Sequence, residues 1–238
     1  CSPRNKPCVR NKHTTMRIGI DAYPLSRDKM TGLGSYMANL LREIQALDED
    51  NEYFLYTPIE LKPPSRNGRW QTRLIKGPTR KISTLWLLWE AKKMLIKDKI
   101  DIFVGTQSFI PANLPVKIKK VLVLHDLCLF VCPQNVPPWL YIPQRLIFPK
   151  SLFSADCIAA ISESTGNDIK KFFPLLDEKK IKTVYYGGPD PEFNASDRAK
   201  AAGYILKRFG ISDRFILTVT SLEWRKNVTG LLTAFDLC

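Results

Sequence analysis

A histidine and an aspartate end an apolar run: His125-Asp126 follows Val121–Leu124 in a chain of 238 residues. An imidazole changes charge near neutral pH and offers both a donor and an acceptor, so it suits contact with a polar substrate. In open α/β sheets ligands collect at the carboxyl ends of strands, which is where this pair would lie. His125 is the one histidine outside the first fifteen residues. A second group is Thr31-Gly32-Leu33-Gly34-Ser35-Tyr36. Gly32 and Gly34 would let backbone amides approach an anion at a helix start. The dinucleotide fingerprint is not met, because Met37 stands at the third glycine position and the loop from Ala22 to Thr31 is too long for its tight turn. The third group is Arg225-Lys226 within Ser221–Asn227, where two cations and a helix start suit a diphosphate. His125, Cys128 and Cys132 lack the paired spacing and fourth ligand of a zinc site, so no metal site is expected.

Each group also has a structural reading: a strand-end histidine, a flexible helix-start loop and a solvated charge pair. Which reading holds depends on the elements around them. Apolar runs predict strands over residues 16–21, 52–56, 71–75, 101–104, 121–124, 155–161 and 181–185. Helical spacing of Tyr36, Leu40, Ile44 and Leu47 predicts a helix over 34–47, and residues 82–97 give the strongest helix signal. Ser162 is a candidate N-cap for a further helix. Five prolines between Pro133 and Pro149 predict that helix there is short or broken. Strands alternating with helices, several of them nearly all apolar, predict a parallel sheet covered on both faces. After Gly187-Gly188-Pro189 a helix over 197–209, a strand over 215–219 and a helix from Asn227 are expected. The domain boundary is placed near residue 190. Residues 1–15 read as a disordered or extraneous tail, 16–190 as one domain and 191–238 as the start of another, with Met16 as the natural start and the chain cut within a helix.

The formal net charge is +13, of which residues 1–15 carry four cations and no acid. No basic stripe carries interleaved aromatics at the spacing of a nucleic-acid module, so no nucleic-acid partner is expected. The remaining cations suit phosphorylated substrates or an anionic membrane surface. The run Leu85–Lys93, with Lys92, Lys93, Lys97 and Lys99 around it, reads mainly as a helix docked on the sheet and alternatively as a membrane-surface helix. Six cysteines without a CxxC pair read as reduced thiols, and no apolar run is long enough to span a bilayer, so a cytoplasmic protein is expected.

In order along the chain, these pieces resemble family 4 glycosyltransferases, in particular their mannosyltransferase-like branch. The resemblance runs from Met16-Arg-Ile-Gly-Ile-Asp-Ala with Pro24-Leu25 through Thr31–Tyr36, Asn51-Glu52-Tyr53, Leu88-Trp89-Glu90, His125-Asp126-Leu127, Ser162-Glu163-Ser164-Thr165 and Val184–Gly188 to Ser221-Leu222-Glu223 with Arg225-Lys226-Asn227. It implies a GT-B fold of two Rossmann-like domains and a retaining, metal-independent transfer of a hexose, best mannose. The donor would be a nucleotide-sugar, GDP-mannose or a UDP-sugar, used as co-substrate with no further cofactor. The acceptor would be a glycan or a lipid-linked molecule, with peripheral contact to the inner face of the cell membrane. By the same resemblance His125 and Asp126 lie at the reacting sugar, Gly32 and Gly34 line the diphosphate and acceptor side, and Arg225 and Lys226 neutralise the leaving diphosphate. Tyr23, Thr220 and Trp224 stand where the family often has Arg, Gly and Pro. The Glu-x7-Glu motif of the family's C-terminal domain would fall after residue 238, so the 238-residue fragment is expected to be inactive alone. A non-catalytic nucleotide- or partner-binding module and a basic peripheral membrane protein are the alternatives.

Overall fold

The computed structural model describes residues 15–26, 31–62, 68–188, 197–212, 215–222 and 226–237. Two compact units divide the chain, one through Tyr185 and one from Tyr186 onward.

The first unit is built on a seven-stranded, wholly parallel sheet in the order β3-β2-β1-β4-β5-β6-β7. The strands are β1 (Arg17–Asp21), β2 (Glu52–Thr57), β3 (Trp70–Leu74), β4 (Ile102–Gly105), β5 (Lys119–Leu124), β6 (Cys157–Ala160) and β7 (Ile181–Thr183). All seven fall where the apolar runs predict them. From β1 the chain moves outward in one direction through β2 and β3, then returns to β4 and moves in the other direction. The switch point therefore lies between β1 and β4.

Two apolar layers show why these strands form. In β2, Tyr53 and Leu55 belong to a cluster with Ile20, Met37, Leu41 and Trp70, whereas Phe54 and Tyr56 belong to the other cluster, with Trp86, Leu87, Leu95 and Phe103. Successive side chains of a strand point to opposite faces, and here both faces are buried, as a parallel sheet requires. Met37 and Leu41 come from α1 (Gly32–Leu47). Trp86, Leu87 and Leu95 come from a continuous helical segment: α2 (Ser83–Leu85), a π-helical stretch Trp86–Ala91 and α3 (Lys92–Lys97). Trp86 is fully buried, and its Nε1 donates to the Ile75 carbonyl at 3.0 Å. The 85–99 run is thus docked on the sheet through Trp86, Leu87, Ala91 and Leu95, while Trp89 and Ile96 stay exposed.

Helix α4 (Cys128–Val131) leads to α5 (Pro138–Ser154), which runs for 17 residues through Pro143 and Pro149. This corrects the expectation of a short or broken helix. Pro138 sits at the helix start, where a missing N–H costs nothing. Phe148, Ser151 and Leu152 are buried, and the Ser151 hydroxyl both donates to the Ile110 carbonyl and accepts from its N–H. Tertiary packing on one face holds the helix although each internal proline removes one backbone bond. Helix α6 (Glu163–Phe172) starts at Ser162, whose hydroxyl accepts from Thr165 N at 3.1 Å, as the sequence predicts.

In the second unit, α7 (Asp197–Phe209) and α8 (Val228–Asp236) form, with Asn227 capping α8 through Gly230 N. The strand predicted over 215–219 does not form: residues 215–222 carry no strand geometry, and Ile216, Leu217 and Val219 are exposed. An apolar run becomes a strand only by pairing, and no described neighbour pairs with it. The amides of Ile216–Val219 should therefore exchange with solvent orders of magnitude faster than those of Val121–Leu124, as hydrogen exchange read by mass spectrometry would show. Equal protection would reveal a pairing partner.

Candidate active site

Three neighbouring strands, β1, β4 and β5, each end in a polar residue at the same edge of the sheet: Asp21, Thr106 just past Gly105, and His125 just past Leu124. Hydrogen bonds join them in series. The Thr106 hydroxyl donates to the Asp21 carbonyl at 2.7 Å, and His125 Nε2 lies 2.8 Å from the Thr106 carbonyl. A carbonyl only accepts, so Nε2 carries the proton and Nδ1 is the acceptor nitrogen of the neutral ring. Burial lowers the His125 pKa below its ordinary value, against the opposing effects of the Thr106 carbonyl and the Asp126 charge. The imidazole is therefore neutral at pH 7.

The backbone around His125 is held as firmly as its ring. Its carbonyl accepts from the Thr165 hydroxyl at 3.2 Å, which ties β5 to the first turn of α6. From the other side, the Tyr36 ring meets the imidazole edge-on, with centroids 5.3 Å apart and planes at 83°. Tyr36 lies on α1, so the start of that helix is brought to the end of β5. Gly32 and Gly34 occupy the first turn of α1 and not a preceding loop. Thr31 caps it, its hydroxyl accepting from Gly34 N at 3.1 Å. A side chain at Gly32 would point into open space, whereas Gly34 is buried. The N–H groups of Gly32 and Leu33 precede the capped Gly34 and are among the orphan donors of a helix start, which favour an anion.

Asp126 is exposed, and its carboxylate accepts from Cys128 N at 2.9 Å. It shapes the turn into α4 while placing a negative charge beside the imidazole. Cys128 in turn donates its thiol to the Cys132 carbonyl. Of the cation pair, Lys226 is described just before the Asn227 cap of α8, and Arg225 lies outside the described residues.

Asp21, Thr106 and Gln107 are not among the residues that sequence reasoning selects, although the strand-end rule that selects His125 applies to them equally. Asp21 is fully buried. It accepts from Gln107 Nε2 at 2.7 Å and from Tyr23 N at 3.1 Å. Burial outweighs those bonds and raises its pKa to about 6. The approach of the loop is tight, since a Cβ on Gly105 would overlap the Phe109 carbonyl and the Ile110 side chain.

The sign of the linkage follows from a folded pKa above the unfolded value of about 3.9. Proton uptake by Asp21 contributes stability that is fully present below about pH 4 and is lost as pH rises through about 6. Asp21→Asn keeps an acceptor for Tyr23 N, and the Gln107 amide can turn to present its oxygen. The variant should melt several degrees above the wild type at about pH 8 and show a flatter Tm between about pH 4 and 7. An unchanged Tm–pH profile would show that Asp21 is not the group responsible.

A parallel sheet with a switch point between β1 and β4, helices on both faces and a helix start facing the carboxyl edge define the Rossmann-like α/β unit of the GT-B type. The chain belongs to Glycosyltransferase Family 4, whose profile matches residues 30–188. It is 26% identical to the O-antigen chain mannosyltransferase B of Escherichia coli over an alignment covering 90% of this chain and 57% of the relative. HepE of Anabaena, crystallised in complex with UDP and glucose, superposes with a TM-score of 0.60 at 14% identity, covering 94% of this chain and 58% of that one. The chain thus spans a little over half the length of each of these proteins.

Proposed function

We propose that this chain forms the acceptor-side part of a retaining glycosyltransferase that moves a hexose, mannose first among them, from a nucleotide-sugar to a glycan or lipid-linked acceptor. The observation that carries the reading is the neutral His125 fixed by Thr106 and Tyr36 at the carboxyl edge beside the switch point. Family membership gives the reaction class, and the mannosyltransferase relative favours mannose and hence GDP-mannose over a UDP-sugar. Metal independence and the absence of any further cofactor rest on the resemblance alone.

In this reading the bond between the anomeric carbon and the diphosphate oxygen breaks, and an acceptor hydroxyl bonds to that carbon from the same face. The hydroxyl proton passes to the departing phosphate. Positive charge grows on the sugar ring while negative charge grows on the diphosphate. By the family resemblance, Arg225 and Lys226 stabilise the latter more in the transition state than in the ground state. His125 Nδ1 accepts from a sugar hydroxyl and fixes the ring, and Asp126 keeps a negative charge near the developing cation. Gly32, open above its Cα, lets donor or acceptor come close to the helix start.

Screening the full-length protein for thermal protection by nucleotide-sugars tests the assignment. GDP-mannose should raise Tm by several degrees at concentrations well above its Kd. Protection by no nucleotide-sugar would contradict it.

A further inference from the structure

Asp21 and Gln107 meet at the switch point, between the ends of β1 and β4, where ligands of open α/β sheets collect. Their bond fixes the direction of the Gln107 amide. A carboxylate only accepts, so the group that meets Asp21 Oδ2 at 2.7 Å is Nε2, and the amide oxygen points away from it. Gln107 is half-buried. Its Oε1 accepts no hydrogen bond among the described residues and is not one of their buried, unsatisfied atoms. A carbonyl oxygen therefore opens at the carboxyl edge, one residue past the Thr106 carbonyl that holds His125.

The backbone beneath this amide is clamped. Ser108 has a φ of 64°, in the left-handed region that residues with side chains seldom enter. On one side of it the Thr106 hydroxyl is bonded to the Asp21 carbonyl, and on the other the Ser151 hydroxyl holds both backbone groups of Ile110. Rotation of the Gln107 side-chain amide is the motion left to the pair. The titratable groups on neighbouring elements are engaged elsewhere: the Tyr23 hydroxyl with the Arg80 carbonyl, Tyr56 of β2 with Asp98, and His125 with Thr106. Burial raises the Asp21 carboxyl to about 6, and no charged side chain opposes that rise.

We propose that Gln107 is a further substrate-binding residue, whose Oε1 accepts from a hydroxyl of the acceptor sugar, and that Asp21 is the positioning residue that turns this oxygen outward. The identity of the hydroxyl rests on the transfer reading. A hydroxyl that donates to Oε1 keeps its lone pairs free for the anomeric carbon. When Asp21 takes up a proton, Oδ2 becomes a donor while Oδ1 still accepts from Tyr23 N. The amide then turns to meet that donor with Oε1, and Nε2 faces outward instead. An outward N–H occupies a lone pair of the hydroxyl and opposes its attack. Protonation of Asp21 thus exchanges an acceptor for a donor at the site.

Asp21→Asn locks the turned state, because the Asn amide accepts from Tyr23 N and donates to Gln107 Oε1. In the full-length protein at about pH 8 it should lower kcat/KM for the acceptor about tenfold while raising Tm, a combination that a merely structural role does not give. The activity ratio of wild type to variant should shrink to within about twofold near pH 5, where Asp21 is protonated. Protonation of His125 acts on both proteins and divides out of that ratio. Gln107→Met should cost about the same tenfold and add little to Asp21→Asn. Without any substrate, the Gln107 side-chain amide of the 238-residue chain, assigned by its absence in Gln107→Met, should shift in NMR spectra with an apparent pKa of about 6 and stay constant in Asp21→Asn. An amide that does not titrate would overturn the role of Asp21. A ratio that is the same at both pH values, or full activity of Gln107→Met, would overturn the contact with the acceptor. The amide titration needs neither donor nor acceptor, so its failure leaves the transfer reading standing. Titration without transfer from any nucleotide-sugar would sink the transfer reading and the acceptor contact together, and leave the turning of the amide established.

Discussion

His125→Ala in the full-length protein is expected to lower turnover on the order of 10²-fold while changing Tm by only a few degrees. The imidazole reaches the carboxyl edge with its Nε2 proton committed to the Thr106 carbonyl, 2.8 Å away. Removing it leaves one carbonyl without that donor, a cost of about 1 kcal/mol. In the proposed reaction the hydrogen bond that Nδ1 accepts from a hydroxyl of the reacting sugar is worth more, because in the transition state it acts where charge develops. A pH profile separates the roles further. The neutral ring accepts a hydrogen bond and the protonated ring cannot, so kcat/KM should fall on the acid side as pH drops through a pKa below the ordinary histidine value. Unchanged turnover would exclude contact with the reacting sugar. Unfolding of the variant would show that His125 serves to hold Thr106 and Tyr36 in place.

A larger effect is expected at the diphosphate. Arg225→Ala/Lys226→Ala should lower turnover on the order of 10³-fold and weaken product inhibition by the nucleoside diphosphate. In the proposed reaction Arg225 and Lys226 neutralise the group on which negative charge grows, and a neutral amide does not replace a full charge. Lys226→Arg should recover part of the loss if charge alone matters, and little if the compact ammonium is needed. Turnover within a few-fold of the wild type for the double variant would place the diphosphate elsewhere.

The sheet was legible because the interior strands of a doubly covered parallel sheet bury both faces, and runs such as Glu52–Thr57 or Lys119–Leu124 carry that requirement in their residue types. Helix α5 was not legible, because its prolines are read locally while its stability comes from Phe148, Ser151 and Leu152 packing against distant parts of the chain. The apolar run at 215–219 misled in the opposite way, since its composition favours a strand but pairing is a property of neighbours. At the site, His125 stood out as an isolated histidine behind an apolar strand. Asp21 and Gln107 obey the same rule but look ordinary in sequence, and only the structure shows them bonded at 2.7 Å. Tyr36 read as one of the periodic positions of a helix, and its edge-on contact with His125 depends on how α1 crosses the sheet.

The central claim is transfer of a hexose with retention. Its most direct test is incubation of the full-length protein with GDP-mannose and a mannose-terminated acceptor, with the product's anomeric proton followed by NMR and GDP release followed in parallel. Transfer with retention gives stoichiometric GDP and a new glycosidic bond of the same anomeric configuration as the donor. A product of opposite configuration, or no GDP release with GDP-mannose or any UDP-hexose, would contradict it.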